Sequence, residues 1–376
     1  MSSQSFVEIG QLETLINEGQ RLQQSPKSNK ILQASSDSKL AIPVTTLIER
    51  WIEKSISLIY SLLPKTIINS DLNRINDVFS RQNDKIIQHN SDDISIVIDS
   101  LQTCLDFFRW LTNFDDKVLD RRQQANFHFG PLHAIVNYLD ENLVPELMGL
   151  EDGKTKKTAK LHLYGRIYAW ALGIVKLNEV GYCQLLGASL RSMLELYIDF
   201  ALIDSDLIDN ALEKFFVFDM AHRYWSAKKL LDIDKELGKP ERESSALRNH
   251  LIDGDQKEEN IRSIWGTKRV LHWSGMKVED RARKAGLLDI HRDVYYYGNM
   301  FIHSGYIGSP NTEEDAHLLC AHVYALSAMM LKDTSLNISD ESNIEHKDDV
   351  KKEIEDLYLI YGYFQVWKSW VNSRLK

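Results

Sequence analysis

Leu271 to Gly305, LHWSGMKVEDRARKAGLLDIHRDVYYYGNMFIHSG, is the densest run of unusual residues in the chain, and its reading decides how the rest is understood. Taken as a helix from near Leu287, at about 100° per residue, Arg292, Tyr296, Asn299 and His303 fall at i, i+4, i+7 and i+11 and share one narrow stripe. Ile290, Val294, Tyr297 and Phe301 repeat that spacing two residues earlier, on nearly the opposite side. Such a helix presses its apolar stripe into a core and presents guanidinium, phenol, amide and imidazole together on the other face. That face is either a site or a solvated surface, and residue type alone does not choose between them.

Working outward, the same periodicity recurs through the chain. With 18 glycines and 7 prolines in 376 residues, and no alternating apolar/polar run bounded by turn dipeptides, helices are the main element and the fold class is all-α. Val7–Leu22 reads as a first helix, followed by the polar run Gln23–Lys39. Thr46 and Glu49 have capping-box spacing at the head of a helix that stops at Pro64, and Ser91 or Asp92 opens another with a strongly apolar side. Gly130-Pro131 interrupts the pattern between Phe114 and Met148. The charged, small-residue stretch Glu151–Lys160, EDGKTKKTAK, reads as a linker, which divides the chain into two helical domains, 1–150 and 151–376.

Beyond the linker, GYCQLLGASLRSMLELYIDFALI (Gly181–Ile203) is apolar nearly all the way round, as expected of the central helix of a bundle. Arg191 and Glu195 sit on it at i and i+4. Charges on such a helix must be paired, because an isolated buried charge costs several kcal/mol, so the two are expected to form an ion pair, structural or part of a site. Thr312 with Asp315 caps a further helix to about Leu331. Asp333–Lys347 then reads as a polar loop, and Asp348–Trp370 as a last helix with an aromatic side.

The totals narrow the partners. A formal charge of -9 argues against a surface built for nucleic acid, which needs clustered Lys and Arg to neutralise phosphates. RNA is therefore not indicated, while a protein partner or a second copy of the chain is compatible. Cys104, Cys183 and Cys320 have no paired spacing and read as reduced, buried thiols in a cytoplasmic protein. The opening MSSQSFVEIGQLETL has no basic region followed by an apolar run, and no segment approaches membrane-spanning length, so neither secretion nor a membrane is expected. Nucleophile elbows, Walker loops, dinucleotide fingerprints, HExxH pairs and twin CxxC sites are all missing. His317, Cys320 and His322 point across more than half of a helix circumference. Neither a metal nor any other cofactor is expected.

Metal-independent RNA cleavage remains chemically open. It needs a base for the 2′-hydroxyl and a cation for the phosphorane, roles that His and Arg fill. Arg122 and His128, in RRQQANFHF, have the Arg-x(4–6)-His spacing of small helical ribonucleases of the HEPN superfamily, although in a chain with 12 histidines such a spacing also arises by chance. The stripe of Arg292, Tyr296, Asn299 and His303 suits the chemistry better in residue type, with a longer Arg-to-His spacing. His303 is its general base or acid, and Arg292 or Arg191 its phosphate holder.

Three elements taken together carry a resemblance. They are Leu190-Arg191-Ser192-Met193-Leu194-Glu195-Leu196, then Trp273-Ser274-Gly275 followed by Arg281 and Gly286, then the Tyr-rich helix closing in His303-Ser304-Gly305. Over roughly Leu161–Leu331 the chain resembles the bacterial domain of unknown function 5677 family. The resemblance implies an all-helical domain, in some proteins linked to phage defence or abortive infection, with Arg191, Glu195, Trp273, Tyr297 and His303 as motif positions and no catalytic mechanism to transfer. LETLINEGQRL and WIEKSISLIYSLLP are similar to a helical accessory module placed ahead of bacterial effector domains. Two readings follow. One is a sensor or protein-interaction module with an aromatic binding surface at Trp265, Trp273 and Tyr297. The other is a metal-independent HEPN-like ribonuclease toxin.

Overall fold

The structure is a computed structural model that describes residues 3–24, 42–68, 91–147, 153–238, 249–252, 254–266, 270–302, 312–342, 344 and 346–374. Every regular element among them is helical, as the apolar periodicity requires. The polar run expected after Leu22 lies almost wholly outside them. The chain forms two compact units, Met1–Ala134 with Lys352–Lys376, and Ile135–Lys351.

The first unit contains α1 (Ser3–Gln24), α2 (Ile42–Leu62), α3 (Ser91–Thr112), most of α4 (Arg121–Asn142) and most of the last helix, α13 (Lys347–Arg374). Helices α1, α2 and α3 pack on one another, with Leu12, Ile52, Val97, Leu101 and Phe107 fully buried. From α13, Phe364 and Trp367 meet the Phe107 ring edge-on at 5.3 and 5.6 Å. Pro64 follows α2, where it cannot donate to the preceding turn, and the next amide, Lys65 N–H, donates to the Glu353 carboxylate at 2.8 Å.

Gly130-Pro131 does not interrupt α4, which runs through both residues. Pro131 lacks the N–H that would bond the Phe127 carbonyl four residues back. That carbonyl faces Gly362 of α13, where an added Cβ would stand 2.7 Å from the oxygen. A Cβ on Gly130 would stand 2.1 Å from the Gln365 amide oxygen. The two glycines thus allow α4 and α13 to approach closely enough to cover the break in the backbone ladder.

The second unit holds α5 (Val144–Leu147), α6 (Lys156–Lys176), α7 (Cys183–Asp204), α8 (Ala211–Glu236), α9 (Gly254–Trp265), α10 (Val278–Lys284), α11 (Leu288–Ile302) and α12 (Glu313–Glu341). The all-round apolar helix α7 is its centre and touches α6, α10, α11 and α12. The expected linker ends in structure: Thr155 Oγ1 accepts from Thr158 N–H and starts α6 at Lys156. Lys160, read as its last residue, is fully buried, 2.6 Å from both Asp204 and Glu341, with its ammonium 5.1 Å from the Phe200 ring centre. Burial alone would raise the Asp204 carboxyl, but the bond and charge of Lys160, with Asn337 and Lys156, outweigh it and hold the group below its ordinary value.

Thr312 caps α12 through Asp315 N–H as its spacing suggests. The helix then continues to Glu341, through residues expected to be a loop. Its polar residues are inward anchors: Asp333 accepts from Tyr197 OH at 3.0 Å, Asn337 donates to Asp204 at 3.0 Å, and Ser335 bonds the Tyr164 hydroxyl at 3.2 Å. Fixed partners on neighbouring helices override the weak helix preference of Thr, Ser and Asn.

Candidate functional site

On α7, Arg191, Glu195 and Asp199 recur at i, i+4 and i+8 and form one charged stripe on an otherwise apolar helix. The segment before α10 and the start of α11 close over that stripe. Arg281, on α10, donates through Nη1 to Asp199 Oδ1 at 2.6 Å and through Nη2 to Glu195 Oε2 at 3.4 Å. Its side chain is only 4% exposed, so a buried guanidinium is matched to two carboxylates, as the cost of desolvating it requires. On α11, Tyr295 OH donates to Glu195 Oε1 at 2.6 Å. The Arg191 guanidinium lies 4.5 Å from the Tyr295 ring centre, with Nε 3.5 Å from Glu195. Burial first, then the Glu195 carboxylate, push the Tyr295 hydroxyl up to about 12, which keeps it a donor.

His272 completes the centre. Its Nε2 is 2.8 Å from Asp199 Oδ2, and its Nδ1 is 2.9 Å from Ser274 Oγ and 3.2 Å from the Ser274 backbone nitrogen. A backbone N–H only donates, so Nδ1 carries the lone pair and Nε2 carries the proton given to Asp199. Arg281 Nη1 lies 2.8 Å from the same Nε2, and Asp199 accepts from both, holding two N–H groups together. His291 stacks on Tyr295 at 4.2 Å and is buried, and neither of its ring nitrogens has a hydrogen-bond partner among the described residues. Burial, the largest influence, lowers its basicity. Glu279 and Glu195 oppose that, and Arg281 and Arg191 assist it.

Asp199, His272 and Ser274 have the connectivity of a carboxylate–imidazole–hydroxyl relay, so whether they can act as one must be decided on geometry. Acyl transfer also needs donors for the developing oxyanion, usually backbone N–H groups beside the nucleophile. Here those groups are used: Ser274 N–H on His272 Nδ1, Gly275 N–H on His272 O at 2.9 Å, and Met276 N–H on Ser274 Oγ at 3.2 Å. The relay therefore locks the segment to α7, with the backbone N–H groups of residues 274–276 all engaged.

The residues expected to carry function are distributed as follows. Arg191 and Glu195 pair as their spacing suggests, but about a third of each side chain is exposed, because α7 turns this end of its stripe toward the edge of the bundle. Arg292 is exposed on α11. Tyr296, Tyr297 and Asn299 are helical, and their side chains, like the whole of His303, lie outside the described residues. Trp273, expected on a binding surface, is interior at 3% exposure, with its ring 5.9 Å from Phe215. Trp265 is half-buried and donates through Nε1 to Trp273 O at 3.1 Å. Arg122 is exposed on α4, and His128 meets the Phe127 ring edge-on at 5.1 Å. Among the described residues no group of His, Cys, Asp and Glu has metal-holding geometry, and all three cysteines are buried and free.

Asp199, His272, Arg281 and Tyr295 were not among the expected site residues. Asp199 had a legible signal as the third charge on the Arg191–Glu195 stripe. Arg281 was marked only as a position of the family resemblance, with no role, and His272 had no signal, because only the path of the chain before α10 brings them to the stripe.

This centre lies within the segment that a family model recognises. Residues 157–316 match the Family of unknown function (DUF5677). Glu195, Asp199, His272, Arg281 and Tyr295 all fall inside the DUF5677 match, which confirms the likeness read from Arg191, Glu195, Trp273 and Arg281. No curated protein and no solved structure matches the chain. Among the described residues no helix is long and apolar enough to cross a membrane.

Proposed function

We propose that the DUF5677 unit is a sensor or protein-interaction module acting in the cytoplasm in bacterial phage defence, and that its polar centre transmits a binding event instead of turning over a substrate. One observation carries this reading: the carboxylates of the centre and the groups facing them are engaged with one another, although Arg281 Nε and both ring nitrogens of His291 have no hydrogen-bond partner among the described residues. Arg281 is held by two carboxylates, the His272 proton by Asp199, and the backbone donors of residues 274–276 by neighbouring side chains and carbonyls. A phosphate-cleaving site needs an accessible cation, whereas the Arg281 guanidinium is buried with both terminal nitrogens on carboxylates, and the more exposed Arg191 is paired with Glu195. A matched, partly exposed set of charges tying one segment and two helices to α7 suits an element with two arrangements whose balance a partner shifts. The defence context comes from the family resemblance, and the partner is a protein chain or a second copy.

The test is expression in a bacterial host challenged with phage, alongside incubation of the purified protein with total RNA. Reduced plaque counts without RNA cleavage support the module. RNA cleavage that disappears with His272→Gln or His303→Gln at unchanged melting temperature would establish the ribonuclease instead.

A further inference from the structure

One turn before Tyr295 on α11, His291 is buried in the polar centre at 7% exposure, and neither of its ring nitrogens has a hydrogen-bond partner among the described residues. Buried imidazoles are ordinarily bonded through at least one nitrogen, so an unbonded one calls for a physical reason. Its ring stacks on that of Tyr295, with centroids 4.2 Å apart and planes 28° from parallel. The same Tyr295 ring carries the Arg191 guanidinium at 4.5 Å, and its hydroxyl donates to Glu195 at 2.6 Å. The imidazole therefore rests against the side chain that ties α11 to α7.

A proton on His291 opposes that arrangement. An imidazolium carries two N–H donors, and neither nitrogen meets an acceptor among the described residues. It also adds a positive charge beside a ring that already carries Arg191, with Arg281 of α10 within electrostatic reach. The carboxylates that act on it are engaged: Glu195 of α7 with Tyr295 and Arg281, and Glu279 of α10 with Arg283 at 2.9 Å. On its own helix Asp289, Arg292 and Asp293 are exposed, and His322 of α12 lies toward the Asp293–Val294 side. Burial thus keeps the ring neutral while α11 is seated on α7, and contact with water returns it to its ordinary basicity. The geometry points to His291 as a proton-operated latch: acid favours an arrangement in which the Tyr295–Glu195 bond is broken and α11 is released from α7. The proton is then a ligand that binds the released arrangement better, shifting the balance by up to about tenfold between pH 7.5 and 5.5. The inference rests on the sensor reading, to whose polar centre it gives an input.

Hydrogen–deuterium exchange of the full-length protein at pH 7.5 and 5.5, read by mass spectrometry and corrected for the intrinsic pH dependence of amide exchange, measures the opening of α11. The expected result is a loss of protection of about three- to tenfold in the α11 amides at pH 5.5, with α6 unchanged. His291→Phe, which keeps an aromatic ring on Tyr295, and His291→Gln, which keeps a polar group, should both remove the response. Melting curves at pH 7.5 verify that each is folded. Equal protection at the two pH values overturns the latch. So does a loss that survives in a folded variant, which assigns the titration to another group such as His272, or a loss shared equally by α6, which is global unfolding. Wild-type protein that reduces plaque counts with an α11 indifferent to pH removes the latch alone and leaves the sensor reading. A pH-responsive α11 in a protein that gives no protection against phage keeps the latch and removes the sensor reading.

Discussion

Arg281 and Asp199 are 82 residues apart in sequence and meet at 2.6 Å, with 4% and 9% of their side chains exposed. A pair this dry is stabilising only relative to one partner left alone. Arg281→Met should therefore cost about 3 kcal/mol, the low end for breaking a buried pair, since it leaves Asp199 with His272 alone and removes a partner of Glu195. Adding Asp199→Leu should recover part of that loss. Urea denaturation of the two variants measures both, and an Arg281→Met protein as stable as wild type would show that the centre does not hold the fold.

Lys160 presents the mirror case, one buried ammonium between Asp204 and Glu341. Both carboxylates keep about a third of their surface in water, so they can be partly resolvated when the lysine is lost. Lys160→Met is expected to cost roughly 3 kcal/mol, the low end for breaking a buried pair, with no change in the denaturant slope.

His291 makes stability depend on pH. Its folded-state basicity is depressed from the ordinary 6.5, so on acidification the unfolded chain takes up a proton before the folded one does. Its contribution is fully present above about 6.5 and is lost progressively as pH falls below that value toward the lower folded pKa. The slope of unfolding free energy against pH between 7 and 5 should shrink in His291→Phe, a comparison that equilibrium denaturation at several pH values provides.

Two glycines test steric contact against helix preference. Replacing a mid-helix glycine by alanine gains up to about 1 kcal/mol in propensity. Gly165 on α6 has nothing within 4 Å of an added Cβ, so Gly165→Ala should raise the melting temperature. At Gly362 the added Cβ would meet a backbone oxygen at 2.7 Å, and an overpacking cost of about 1–3 kcal/mol should win. Gly362→Ala should lower the melting temperature, and a rise would mean that α4 and α13 are less closely packed than described.

The fold class was legible because an amphipathic period survives in the sequence whatever a helix packs against. The places where that reading stopped short share a cause. Pro131 looked like a break and Asp333–Glu341 like a loop because local preference opposed the helix, and the compensation, Gly362 against the Phe127 carbonyl and Tyr197 on Asp333, comes from residues distant in sequence. The polar centre divided the same way. Arg191 and Glu195 could be read from one helix, whereas His272 and Arg281 join them only through the turn of the backbone before Val278.

The first unit draws its core from both ends of the described chain, since Phe364 and Trp367 pack on Phe107 after the whole of Ile135–Lys351 has intervened. During synthesis the ribosome therefore releases everything the intervening unit needs while the N-terminal helices still lack the residues that cover Phe107. The family-matched unit can fold first, and the N-terminal helices remain open to a chaperone or protease until α13 emerges. A ribosome stalled before Tyr363 would release a chain with a complete polar centre and an N-terminal unit that cannot close.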